Sequence, residues 1–222
     1  CWGEYCPKNF ANTYLGKVSI LDSFKYSLNI IAVDLLDKIG FEKVISIANS
    51  LGIGNERKLE KYYPLAIGAF EETVLNMTAA YAGITNRGIY NKPTPYEEIR
   101  GPNNKIIWSK SLNKTKNQIA LRATVADTLN WMLQKAVSEG TGKGAILNDR
   151  AVAGKTGTSD GSRDIWFIGS IPQLTTGIWL GHDDYKETMN SSSTAASTWQ
   201  ELMGDITKDM QVIEFPLIHE SS

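Results

Sequence analysis

The chain has 222 residues, with 23 Lys and Arg against 24 Asp and Glu, a formal net charge of −1. At 42% hydrophobic and 21% charged it has the composition of a globular domain with a real core, not of a disordered, collagenous or coiled-coil chain. That balance gives no footprint for nucleic acid or an anionic membrane, and no apolar run reaches the ~18 residues of a bilayer span. The start shows no charged segment followed by an apolar one, so no signal peptide is expected. Cys1 and Cys6 leave three readings open: a small disulfide loop outside the cytosol, two separate thiols, or a lipid-modified Cys1. His182 and His219 lie far from both cysteines, so no metal ligand set is visible and no cofactor is expected.

After a turn-like opening dozen residues, a helical pattern starts at Ser19 and runs through Phe24, Ile30, Val33 and Leu36 to Ile39, stopped by Gly40. A second helix fits Phe41 to Leu51, with Gly52 where a terminating glycine belongs. A third fits Thr73 to Asn86. Tyr90 to Trp108 reads as a hairpin turning at Gly101-Pro102-Asn103-Asn104. Ser109 to Asn117 is a polar connector, and the strongest helical pattern follows from Gln118 to Glu139. Strand-like runs come next at Ala151 to Thr158, Asp164 to Ser170 and Thr176 to Leu180, then a closing helix from about Thr194 to Met210. Helices, a run of antiparallel-looking strands and a closing helix predict a single α+β domain, an antiparallel sheet flanked by helices. Trp131, Trp166, Trp179 and Trp199 are expected in the core.

The string most suggestive of chemistry is Gly154-Lys155-Thr156-Gly157-Thr158. It is not a phosphate loop, because the first glycine of that motif is missing and strands, not a helix, flank it. On a strand, residues 156 and 158 share one face, and 155 and 157 the other. A cation beside hydroxyls suits a carboxylate, and Gly157 lets an extended ligand lie close to the backbone.

In order along the chain stand Pro7-Lys8-Asn9-Phe10, Ser27-Leu28-Asn29, Ala66-Ile67-Gly68 through Met77 to Ala82, Asn86-Arg87-Gly88, Gly140-Thr141-Gly142, the Lys155-Thr156-Gly157 string, Arg163 to Gly169 and Gly177 to Asp184. This ordered set resembles the transpeptidase domain of penicillin-binding proteins, in particular the class A bifunctional ones, over about residues 7–203. Ser27-Leu28-Asn29 alone carries no weight, since Ser111-Leu112-Asn113 has the same form. The resemblance implies a β-lactamase/transpeptidase-like fold, incomplete here. The family's serine nucleophile sits in an S-x-x-K motif upstream of S-x-N, and nothing before Ser27 has that form. Ser111-Leu112-Asn113-Lys114, in the polar connector, is read as chance. The chain is therefore expected to be the C-terminal part of such a domain, completed by an N-terminal part from the same protein or a separate chain.

The resemblance further implies a peptidoglycan D,D-transpeptidase acting on stem peptides, acylated by β-lactams, on the extracytoplasmic face of the plasma membrane. Its only tie to the membrane would be an N-terminal anchor absent from this chain. Ser27 would relay a proton, Asn29 would steady the nucleophile's lysine and bond the substrate amide, and Lys155 would supply positive potential. Thr156 and Thr158 would bind the substrate carboxylate beside Gly157, and the Thr158 N–H would be one arm of an oxyanion hole. Two rivals are weighed. A class A β-lactamase would use Glu72 of Glu72-Thr73-Val74-Leu75-Asn76 to activate water, and a non-catalytic sensor or scaffold would need neither S-x-N nor K-T-G. His182 beside Asp183 and Asp184 reads as a polar strand end, since neighbouring strand residues point to opposite faces.

Overall fold

The computed structural model describes residues 1–110 and 118–218. The Ser111 to Lys114 string, most of the polar connector and His219 lie outside the described residues. Cys1 and Cys6 are bonded to each other, closing a loop at the start of the chain.

Helix α1 (Ile20–Lys25) opens at Ser19, whose hydroxyl accepts the Asp22 N–H. α2 (Asn29–Ile39) and α3 (Phe41–Ser50) follow, and a 3-10 turn at Tyr63–Ile67 packs against α2. α4 (Val74–Thr85) is capped by the Thr73 hydroxyl, which accepts the Asn76 N–H. Four short strands, β1 (Ile89–Tyr90), β2 (Glu98–Arg100), β3 (Ile106–Ser109) and β4 (Gln118–Ile119), form two small antiparallel pairs, β2 with β3 and β1 with β4. The β2–β3 pair is the expected hairpin, closed by Gly101 and Lys105 across Pro102–Asn104. After α5 (Ala123–Ser138) come β5 (Ala153–Thr158), β6 (Asp164–Ile171), β7 (Leu174–Gly181) and α6 (Ser192–Thr207).

β5, β6 and β7 make an antiparallel sheet in that order, with Thr156 opposite Phe167 and Phe167 opposite Ile178. Alternation along β6 divides the core. Ile165, Phe167 and Ile171 face α6, where they meet Ala195, Ala196, Trp199 and Met203. On the other face α4 and α5 bring Ala80, Ile84 and Leu133 onto Ala153. The Trp199 indole packs edge-on to Phe167 with centroids 5.4 Å apart, and its Nε1–H donates to the Thr176 carbonyl at 3.1 Å. Trp199 is fully buried, whereas Trp131, Trp166 and Trp179 are half-buried at the edges of the core.

Two expectations from periodicity are corrected. The run from Ser19 to Ile39 is two helices, because the chain turns through Tyr26, Ser27 and Leu28. Gln118 and Ile119 do not begin α5; they pair with Tyr90 and Ile89 as a strand, and Ile119 is exposed. An apolar residue at helical spacing says nothing about a strand partner brought from elsewhere.

A Cβ on Gly169 would lie 2.7 Å from both the Phe167 and Trp199 rings. Gly169→Ala is therefore expected to lower stability by about 1–3 kcal/mol through overpacking, read as a shift in urea midpoint at unchanged slope.

Candidate active site

α1 ends in a tight, hydrogen-bonded turn. The Ser27 N–H donates to the Phe24 carbonyl at 3.2 Å and the Leu28 N–H to the Ser23 carbonyl at 2.9 Å. Those bonds are a Schellman closure, which puts the residue after the cap in the left-handed region. Ser27 has φ 56°. α3 closes with the same two bonds, but there the residue is Gly52 at φ 85°. α4 closes likewise on Arg87 at φ 55°, whose guanidinium is forked onto Asp127. At these two non-glycine positions the strained backbone goes with a side chain that makes a specific long-range contact.

For Ser27 that contact is Lys155. The Lys155 Nζ donates to the Ser27 Oγ at 2.6 Å and approaches the Thr156 carbonyl at 3.3 Å. It also stands 6.0 Å from the centre of the Phe24 ring. Among the described residues no carboxylate pairs with Lys155. Burial without a counter-charge pushes its pKa down to about 8. Because the ammonium donates, the Ser27 hydroxyl keeps its own proton to offer to a third group.

β5 is an edge of the sheet, and its polarity follows from the register. The Ser159 N–H donates to the Asp164 carbonyl at 3.0 Å, one step beyond the pair of Thr158 with Ile165. Since opposed residues alternate between bonded and non-bonded pairs, Gly157 and Lys155 turn their amides toward β6, while Thr158 and Thr156 turn theirs toward the open edge. The Thr156 hydroxyl, on the face opposite the Lys155 side chain, exchanges a hydrogen bond of 2.7 Å with the Thr141 hydroxyl. Thr141 lies in the turn after α5, and its place in the Gly140-Thr141-Gly142 string gives no sign of this partner.

Asn29 opens α2, but its Nδ2 donates to the Lys8 carbonyl at 2.9 Å, not toward Lys155. Next to it the Asn9 Oδ1 accepts the Ile30 N–H at 3.2 Å, so the opening segment is stitched to the start of α2. Glu72 stands apart from the Ser27–Lys155 contact in its bonding. Its carboxylate accepts from the Gly54 and Thr73 N–H groups and from Asn76 Nδ2. Burial pushes Glu72 up, yet those three bonds outweigh it and hold the carboxyl below its usual value. Glu72 thus ties the start of α4 to Gly54. His182 lies in the turn that follows β7.

The family model of the penicillin-binding protein transpeptidase domain matches residues 3–204. Penicillin-binding protein 1A of Aquifex aeolicus (strain VF5) is 35% identical over 98% of this chain and 30% of its own length. Penicillin-binding protein 4 of Bacillus subtilis (strain 168) is 31% identical over 90% of this chain and 32% of its own. In fold, the chain is similar to the PonA1 protein of Mycobacterium tuberculosis in complex with penicillin V, at TM-score 0.85 and 22% identity over 96% of this chain and 62% of that one. Penicillin-binding protein 1A of Haemophilus influenzae follows at TM-score 0.82 and 22% identity, over 95% and 37%. The chain belongs to the penicillin-binding protein transpeptidase domain family, and its 1A relatives agree with the class A resemblance. It spans about a third of the length of the curated relatives it matches.

Two outcomes follow from the site's geometry. Ser27→Gly and Ser27→Ala both lose the bond to Lys155, but Gly relieves the left-handed backbone. Ser27→Gly should be about 1 kcal/mol more stable than Ser27→Ala in denaturant titrations. For Lys155, the folded chain gives up its proton near pH 8 and the unfolded chain near 10.5. Between those values the unfolded state binds more protons, so stability rises with pH. The native chain should therefore gain on Lys155→Met from pH 8 to 10.5 and run parallel to it below pH 7.

Proposed function

We propose that this chain is the C-terminal part of a peptidoglycan D,D-transpeptidase domain. It would work on the extracytoplasmic side of the membrane, on stem peptides and β-lactams, with a serine nucleophile in an S-x-x-K segment from outside residues 1–222. The observation that carries the reading is the 2.6 Å contact between Ser27 Oγ and Lys155 Nζ beside an open strand edge. The Cys1–Cys6 bond supports an oxidising compartment.

In this reading the stem peptide lies along β5, its backbone meeting the outward amides of Thr156 and Thr158. Its terminal carboxylate meets the Thr156 and Thr158 hydroxyls on one face of β5, with the Lys155 ammonium adding positive potential from the other. The nucleophile's Oγ–C bond forms as the carbonyl π bond opens, and the oxyanion is met by the Thr158 N–H, an interaction commonly worth ~3–4 kcal/mol of barrier. The carbonyl then reforms as the C–N bond breaks, and D-alanine leaves with the proton taken from the nucleophile. An acceptor amine reverses these steps and frees the serine. Ser27 serves as the hydroxyl that passes the proton, held by Lys155, whose positive charge favours a neutral amine on the nucleophile's lysine. Asn29, its nitrogen engaged by Lys8, would present its Oδ1 as an acceptor for the nucleophile's lysine or the substrate amide.

The polypeptide that carries this chain with its S-x-x-K segment should be labelled covalently by a fluorescent penicillin, and Lys155→Ala should abolish that labelling. Undiminished labelling would remove Lys155 from the mechanism. Rapid release of hydrolysed penicillin would replace the transpeptidase with a β-lactamase.

A further inference from the structure

Ser27 directly follows the cap of a helix of only six residues, α1, and such a helix cannot hold its own position. Two residues earlier in α1 stands Lys25, which ties it to α5. Its side chain is 10% exposed and forms ion pairs with Asp22 at 2.9 Å and Glu139 at 3.0 Å. Its hydrogen bonds to the Asp22 and Glu139 carboxylates hold its pKa up at about 12. Glu139 caps the C-terminus of α5 and also pairs with Lys135 at 2.7 Å. The Lys25 carbonyl then accepts the Thr141 N–H at 3.2 Å. Gly140 sits so close to that carbonyl that a side chain there would strike it. Thr141 continues the connection, through its hydroxyl, to Thr156 on β5. One short turn thus touches both the serine's helix and the lysine's strand.

We propose that Lys25, with Glu139 and the Gly140–Thr141 turn, is a positioning clamp that sets Ser27 Oγ against Lys155 Nζ. Lys25 touches neither substrate nor reacting atoms; it acts through Ser27. The consequence for catalysis rests on the transpeptidase reading above, but the geometric claim does not.

The test is a double-mutant cycle between Ser27→Ala and Lys155→Met, measured by urea unfolding of the 222-residue chain in three backgrounds. Ser27 and Lys155 should be coupled in the native background and in Lys25→Arg, which keeps the ion pairs, and uncoupled in Lys25→Met. A purely structural Lys25 would lower stability in Lys25→Met and leave the coupling intact, which overturns the clamp. Absence of coupling in the native background overturns it as well. If Lys25→Met does not fold, Glu139→Gln takes its place, with the same loss expected and retained coupling counting against the clamp.

A second readout is the rate of labelling by a fluorescent penicillin in the polypeptide with its S-x-x-K segment. Lys25→Met should slow it at least tenfold and Lys25→Arg less than threefold; equal rates in Lys25→Met and the native protein would count against the clamp. If nothing is labelled while the coupling behaves as expected, the transpeptidase reading fails and the clamp stands.

Discussion

Two side chains 128 residues apart have to meet at 2.6 Å for this site to exist. Neither element that carries them could arrange this alone. β5 is an edge strand and α1 is a short surface helix. Their common support is α5, which packs along β5 on one side and against α1 on the other. Its buried residues Ala126, Leu133, Ala136 and Val137 fix it to the core, so both catalytic candidates inherit their position from one rigid helix. The strain at Ser27 is tolerable for the same reason. A left-handed non-glycine residue persists where the surrounding bonds over-determine it, and here they include the helix closure itself.

The electrostatics divide two nearby lysines into different roles. Lys25 has two carboxylates within 3.0 Å and is held charged. Lys155 has a hydroxyl and a backbone carbonyl instead, and burial makes its charge less favourable. A charge locked by partners suits mechanical attachment, since the ion pairs resist separation. A charge left uncompensated suits chemistry, because the proton is easier to lend. Sequence composition cannot draw that distinction; it depends on which acids fold next to which base.

Much of the sheet and most helix positions were legible because their signals are local. The K-T-G strand, its two partners and the α6 helix follow from alternation and helical spacing, and the Gly52 closure follows from the glycine itself. What was not legible is non-local. Serine at position 27 carries no breaker signal, so the apolar pattern ran straight through the turn that splits α1 from α2. Glu139 and Lys25 are 114 residues apart, and nothing in either neighbourhood announces the pair. Thr141 was visible as part of a glycine-flanked turn, yet its bond to Thr156 depends on where α5 ends relative to β5. The Asn29 amide was assigned to the site by motif; its bond to Lys8 appears only once the opening segment is laid on α2.

The open edge of β5 resolves a conflict between stability and use. An unpaired strand edge invites pairing with another chain; proteins blunt it with charge or shortness, and a glycine weakens the strand itself. β5 is six residues long, buried at Ala153 and Gly154 and increasingly exposed toward Thr158. The end that must stay open carries Lys155, two threonine hydroxyls and Gly157, all poor at nucleating an apolar strand partner. On the proposed reading the same residues would receive an extended peptide with a carboxylate, because outward amides would set its register and the ammonium would select its charge. The features that keep the edge from aggregating are thus the features that would give the proposed site its specificity. This accounts for a polar, glycine-containing strand at the margin of an otherwise apolar sheet better than either requirement does separately.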